Sequence, residues 1–455
     1  MWTYTLNEIA QYCTGTVAKD NGATVSGVFT DSRIDGTGKL FVALSGDNFD
    51  GHHFVASAVA NGAVAAMVSY LLNDIDIPQI VVGDTLAGLT AFATAHRQRF
   101  SRKVAAVTGS SGKTTTRSLL CAILSVKGRV HQPEKNFNNH IGVPLTALKL
   151  DDAFDAAVFE LGCSDFNEIG PLTKIVDPDV AVITNVGEAH LENLKNHEGV
   201  ARAKGELFLS QRTDACAIVN MDDPWIAKMQ RRARQVITFS ALGASADVVL
   251  QKRVPGPSEQ HLTLRLIDEV VEIAFSLPGI HNAIDATAAA AAALAMGATP
   301  AEIQSGLTSA KAYLGRFNIH ENNGVFVIDD TYNANPSSMA ASLAVLGEMV
   351  APEHRIAVLG DMLELGDNGE SAHRHIGEIV ATLKVKHLLA MGAFAQTIRH
   401  GAIDHGMAAE NITCCDSVDK IVKKVLEISN SGDALLIKGS RGMKMERVVR
   451  AILEG

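Results

Sequence analysis

The residues best suited to chemistry lie in one run, Thr108-Gly109-Ser110-Ser111-Gly112-Lys113-Thr114-Thr115, between a short apolar stretch at 104–107 and a helical pattern from Thr114. Glycines let backbone N–H groups approach phosphate oxygens. A helix N-terminus adds favourable partial charge, Lys113 supplies a mobile cation and Thr114 offers a hydroxyl to Mg²⁺. The run departs from the usual P-loop spacing, because Val107 and not glycine stands four residues before Ser111, so the loop is shorter. A Gly-Ser turn capping a helix is the plainer alternative. The apolar stretch before the run and the Lys-Thr pair within it favour phosphate binding.

An open α/β sheet presents ligands at the carboxyl ends of its strands. Glu160 ends the apolar run 156–161, and His190 falls in the loop after the run 180–184. A carboxylate beside a triphosphate suits Mg²⁺, a hard cation that prefers oxygen, whereas a histidine is a less usual partner. Taken singly, Glu160 reads as a capping or salt-bridged residue and His190 as a satisfied loop histidine. Coincidence with the phosphate loop promotes Glu160 more than His190. Lys204, within Ala201-Arg202-Ala203-Lys204-Gly205-Glu206, reads on its own as a surface lysine on a helix. No GxSxG, no HExxH and no cysteine with an identifiable partner is present. Without a protein nucleophile, a triphosphate site favours chemistry in which the phosphate itself activates the substrate.

The elements that must hold these residues follow from the hydrophobic pattern. Residues 54–72 carry no charge, but alanines dominate and Asn61-Gly62 interrupts them, so they read as helix, turn and buried strand. A helix follows over 85–100. From Val104 short apolar runs alternate with helical patterns at 104–107, 114–126, 156–161, 180–184 and 216–220, the signature of a parallel sheet with crossover helices. Residues 261–277 alternate apolar and polar around Asp268-Glu269, as an antiparallel hairpin on the edge of that sheet would. The alanine run 286–295 is too short to span a membrane and reads as a close-packed helix. A second α/β series has strands at 325–328, 355–359, 387–391 and 434–438. The expected fold class is α/β in three domains: a small mixed α/β unit at 1–84, a central P-loop parallel-sheet unit at 85–314 and a doubly wound, Rossmann-like unit at 315–455.

A length of 455 residues with 47% hydrophobic and 20% charged side chains matches an ordinary folded chain and excludes disorder as the main state. The net charge of -10 argues against a dedicated nucleic-acid binder but permits a local basic site for a phosphorylated small molecule. Cys13, Cys121, Cys163, Cys216, Cys414 and Cys415 lack CxxC spacing and read as reduced thiols of a cytosolic protein. The first ten residues lack a basic start followed by an apolar core, so neither a signal peptide nor a membrane span is expected.

The chain resembles the Mur ligases of bacterial cell-wall synthesis from end to end. The likeness rests on Thr30-Asp31-Ser32-Arg33, residues 40–46 with Asp50-Gly51-His52, the phosphate loop, residues 136–144, Glu160-Leu161-Gly162, Ala189-His190-Leu191 and Lys204-Gly205-Glu206. It continues through His281-Asn282, Gly315-Arg316, residues 329–336, residues 359–366 and Lys438-Gly439-Ser440-Arg441. Order and spacing together make the match specific. The resemblance implies ATP as cosubstrate, Mg²⁺ on Thr114 and Glu160, and a second Mg²⁺ near His190 supported by a carbamylated Lys204. It implies nucleotide contacts from Asn282 and Arg316, with Asp330 on the ribose. Asp31, Ser32 and Arg33 would hold the uridine nucleotide, and Asn138 and Asn139 would contact the UDP-sugar. The implied reaction joins D-alanyl-D-alanine to UDP-N-acetylmuramoyl-tripeptide through an acyl phosphate in a cytoplasmic, monomeric enzyme. After the histidine motif, Asn193-Leu194-Lys195 replaces the Gly-Phe-Gly common in relatives. The competing readings are a ligase adding a diamino acid or folate-linked glutamate and a P-loop ATPase that ligates nothing. Tyr332-Asn333-Ala334-Asn335-Pro336 separates the chain from the other ligases, which carry a histidine-containing version there.

Overall fold

The run Val104–Thr108 is buried at every position, the mark of a central parallel strand covered on both faces. In the computed structural model, which describes residues 2–46, 49–134, 136–229, 233–256, 258–313 and 315–454, this strand lies between Ala156–Glu160 and Val180–Ile183 and runs parallel to both. The sheet extends from Val130–His131 at one edge through these three to Cys216–Asn220, Gln235–Ser240 and Val248–Pro255. It then turns antiparallel at Gln260–Leu266 and Glu269–Phe275. The hairpin expected at 261–277 is therefore present as the outer part of a three-strand antiparallel extension. The alanine helix, Ile280–Met296, packs against Lys113–Leu124 in one core with Leu119, Leu120 and Ile123. Small side chains let the two helices approach closely.

The N-terminal sheet has the order Thr16–Ala18, Gln79–Val81, Ala65–Val68, Leu40–Val42, Val28–Phe29, parallel except for its first pair. Residues 54–72 form the helix Val55–Ala60, a turn and the strand Ala65–Val68. The turn needs glycine: Gly62 has φ +97, and a Cβ there would meet the backbone of Thr37 at 3.0 Å. Among the described residues no helix is long and apolar enough to cross a membrane. Asp84 caps the helix Thr85–Gln98 by accepting the Ala87 N–H at 2.6 Å. That helix joins the two sheets, since Leu40, Val42, Phe92, Phe159 and Ile183 share one core. Arg97, buried on it, donates to the Val176 carbonyl at 2.7 Å and the Asp177 carbonyl at 2.9 Å.

The third sheet has the order Asn318–Asn322, Val325–Asp330, Ala434–Lys438, Arg355–Gly360, His387–Met391, Ile412–Cys415, with the first strand antiparallel. Separate apolar cores lie on its two faces. Asn318–Asn322 is a strand that the pattern does not predict, because as a polar edge it buries no continuous apolar run. The expected boundary at Leu314 falls outside the described residues.

Candidate active site

The phosphate loop leaves its strand at Gly109, φ +151, and enters the helix Lys113–Leu124 through Gly112, φ +75. Gly112 passes so close to Asp285 that a Cβ would lie 2.2 Å from Asp285 Oδ1. The next strand end braces the loop. Asn185 accepts from the Ser110 N–H through its carbonyl at 3.1 Å and from the Ser111 N–H through Oδ1 at 2.9 Å. The Thr184 hydroxyl donates to the Ser111 carbonyl at 2.6 Å. Ser110 Oγ donates to the Gly187 carbonyl at 3.1 Å and accepts its N–H at 2.9 Å. Lys113 Nζ folds back onto the Gly109 carbonyl at 2.7 Å. Burial first, and then the charge of Lys204, pulls Lys113 down to about 8. Thr115 is half-buried on the first helical turn.

Glu160 gathers the neighbouring polar groups. Its Oε2 accepts from Thr114 Oγ1 at 2.9 Å and lies 3.6 Å from Arg117 Nη1, while Oε1 accepts from Asn138 Nδ2 at 2.9 Å. Arg117 is fully buried, with Nε and Nη1 lacking hydrogen-bond partners among the described residues and its guanidinium 5.3 Å from the Tyr313 ring centre. The sequence reading missed it, although a charge four residues after Lys113 falls on the same helix face. Arg316 brings a cation from beyond the central sheet: its Nη2 lies 3.5 Å from Thr114 Oγ1, and its guanidinium stacks 4.2 Å from the Tyr332 ring centre.

These groups surround a cavity of about 550 Å³ whose lining includes Lys113, Asn138, Asn139, Glu160, His190 and Arg316. Asn139 Oδ1 is occupied by the N–H groups of Ile141 and Gly142, at 3.2 and 2.9 Å, which leaves its amide NH₂ for a ligand. His190 precedes the short helix Leu191–Leu194 in a left-handed conformation, and its Nδ1 lies 2.8 Å from Glu364 Oε2. Burial and the charge of Lys204 lower the His190 pKa below its ordinary value, favouring the neutral imidazole. The segment Asn193-Leu194-Lys195 ends that helix with Lys195 at φ +69 and leaves His190 in the cavity wall.

Lys204 corrects its sequence reading as a surface lysine. It is only 1% exposed, on the helix His197–Ser210, because Val200 and Leu207 one turn to either side turn the same face into the core. Its Nζ lies 2.9 Å from Cys163 Sγ, its hydrogen-bond partner among the described residues.

The other expected residues lie apart from this cavity. Asn282 is buried and donates to the Pro278 carbonyl at 2.7 Å. Beside it, His281 is half-buried, its Nδ1 is buried without a hydrogen-bond partner among the described residues, and desolvation pushes it down to about 4. Asp330 pairs with Lys438 and accepts from Ser342 Oγ. Its neighbour Asp329 lines an adjacent cavity of about 650 Å³ with Tyr313, Gly315, Tyr332 and Arg441. In the N-terminal unit, exposed Arg33 grips Asp31 through two hydrogen bonds of 2.8 and 2.7 Å. The Ser32 carbonyl accepts from Asn61 Nδ2 at 2.8 Å.

Fold and site together define a phosphate-loop α/β enzyme in which a second α/β unit closes one wall of the cavity. The family described as Mur ligase middle domain matches residues 107–293. The Mur ligase glutamate ligase domain matches 315–441, and the Mur ligase family catalytic domain matches 24–85. The chain belongs to the Mur ligase family. It is 37% identical over 460 residues to the UDP-N-acetylmuramoyl-tripeptide--D-alanyl-D-alanine ligase of Escherichia coli, covering 100% of this chain and 99% of that one. A crystal structure of MurF from Acinetobacter baumannii superposes with a TM-score of 0.92 at 33% identity and full coverage of both chains. The MurF ligase of Thermotoga maritima in complex with ADP gives 0.85 at 30% identity, covering 94% of this chain and 97% of that one.

Proposed function

We propose that this chain is an ATP-dependent amide ligase that joins D-alanyl-D-alanine to UDP-N-acetylmuramoyl-tripeptide in cytoplasmic peptidoglycan precursor synthesis. The observation that carries the reading is the convergence of Lys113, Glu160, His190 and Arg316 on one cavity, in a chain alike over its whole length to ligases of that name. The γ-phosphoryl group of ATP passes to the terminal carboxylate of the tripeptide. The amine of D-alanyl-D-alanine then attacks the acyl carbon, and the tetrahedral intermediate expels phosphate as the amide forms. Lys113 and Arg316 act where negative charge gathers on the transferring group, the place where a fixed cation lowers the barrier most.

The donor set fits Mg²⁺, since Thr114 and Glu160 offer hard oxygens that already meet at 2.9 Å. Held by these two, and at a second position by His190 and a carbamylated Lys204, Mg²⁺ when bound would neutralise phosphate charge. Carbamylation forms a bond from the Lys204 nitrogen to the carbon of CO₂ and, starting from the ammonium, releases two protons to solvent. An anion then replaces a buried cation that presses on both Lys113 and His190.

On this reading the units 1–84, 85–314 and 315–455 divide the work. Asp31, Ser32 and Arg33 hold the uridine nucleotide. Asn138 and Asn139 guide the sugar-peptide into the cavity, Asn282 and Asp330 contact the nucleoside of ATP, and Gly109, Ser110, Ser111, Gly112 and Thr115 cradle its phosphates. On the same reading the enzyme works as a monomer. Excluding water protects the acyl phosphate, so closure of the C-terminal unit over the cavity belongs to the cycle. The test is phosphate release with each substrate withheld in turn. Release that needs both UDP-tripeptide and D-alanyl-D-alanine is expected, and release with ATP alone at the same rate would refute ligation.

A further inference from the structure

His190 and Glu364 lie in loops that follow strands of different sheets, yet Nδ1 of one lies 2.8 Å from Oε2 of the other. Both backbones are left-handed, with φ +52 and +63, a conformation that residues with side chains keep where their surroundings hold it. The loops carrying them are pressed together: a Cβ added to Gly366 would lie 3.6 Å from the Cα of Glu192. The side chains are 30% and 65% exposed, and an ion pair so open to water adds little to stability. Stability therefore does not account for two constrained backbones meeting in one hydrogen bond.

We infer that Glu364 is a positioning residue for His190, accepting the Nδ1–H so that the ring keeps one orientation and Nε2 remains the free ligand nitrogen. A carboxylate on the far nitrogen is the usual partner of a metal-binding histidine, and it fixes both tautomer and ring direction. Here the carboxylate comes from the C-terminal unit. The histidine half of the site is thus assembled only when that unit sits against the central one, which ties the readiness of the site to the domain arrangement. The inference rests on the proposed reading of His190 as a metal ligand.

The test is Mn²⁺ titration followed by electron paramagnetic resonance, on the full chain with a non-hydrolysable ATP analogue. The unaltered chain is expected to bind two ions. Glu364→Ala should keep the first and weaken the second by about 10- to 100-fold, and Glu364→Gln, which retains a carbonyl oxygen for Nδ1–H, should recover most of the loss. His190→Ala, run in parallel, separates the two levels of the argument. If His190→Ala binds the second ion normally, or the unaltered chain binds only one, the reading of His190 itself fails. If His190→Ala loses the second ion while Glu364→Ala holds it at full affinity, only the role of Glu364 is overturned. Equal weakening of both ions in Glu364→Ala, together with a lower melting temperature, would assign Glu364 a purely structural role and also overturn the inference.

Discussion

Thr114 Oγ1 donates to Glu160 Oε2 at 2.9 Å, joining the first turn of the phosphate-loop helix to the end of the adjacent strand. The parallel register explains the meeting: Glu160 pairs with Val107, two residues before the loop leaves the strand at Gly109. Asn138 holds the other carboxylate oxygen, so Glu160 is oriented before any ligand arrives. Preorganised groups of this kind need no rearrangement as charge develops on a transferring phosphate.

Glu160→Gln should lower turnover by about 100-fold or more, the scale found when one preorganised electrostatic group is lost from a site. It also removes the carboxylate beside buried Arg117, which should cost on the order of 1–3 kcal/mol of stability. Phosphate release and thermal unfolding of the same preparation check both. Unchanged kinetics would remove Glu160 from the proposed metal site.

Lys113→Ala should abolish ligation and leave the fold intact, since its ammonium rests on its own loop and supports no core. Its pKa of about 8 gives the reading a pH signature. Below 8 the amine is already protonated in the free chain. Above 8 it is neutral, and bound phosphate draws the proton back. ATP binding at pH 9 should therefore take up a proton that the Ala variant does not, measured by calorimetry in buffers of different ionisation heat.

Lys204→Ala should nearly eliminate activity, and a short carboxylic acid in the buffer should restore part of it by occupying the vacated space as a substitute for the carbamate. Glutamate at this position should serve less well, because its carboxylate stands on a shorter stem. Mass spectrometry of the native chain under CO₂ should show the carbamate's added mass. Full activity of Lys204→Ala would end the carbamate proposal.

Asp285 lies against Gly112 and accepts from Thr116 Oγ1 at 3.2 Å, and desolvation raises its pKa to about 8. Between the ordinary carboxylate value and 8 the folded chain holds a proton that the unfolded chain has released. Stability from this group is thus present at low pH and lost as pH rises through that interval, on the order of 6 kcal/mol at most. Asp285→Asn should flatten the fall in melting temperature between pH 5 and 8.5. A wild-type profile that is already flat would contradict the protonated carboxyl.

The sequence by itself determined the elements whose cause is local. The short, largely apolar runs at 104–107, 180–184 and 216–220, alternating with helical patterns, mark parallel strands joined by crossover helices. Gly109, Gly112 and Lys113 announce a phosphate loop because turn geometry and helix N-terminal charge depend on neighbouring residues. The expected strands at 387–391 and 434–438 have the same bounds in the fold. What required the tertiary structure was every property set by distant partners. Lys204 changes from surface residue to buried amine because the cavity wall at Cys163 stands against its helix. Arg117 and Asp285 gain meaning only from Glu160 and Gly112, neighbours in space and not in sequence. The contact between His190 and Glu364 exists only because two sheets meet. Spacing along a chain encodes periodicity and turns, whereas charge, burial and ligand geometry are set by whichever groups the packed sheets bring within a few ångströms.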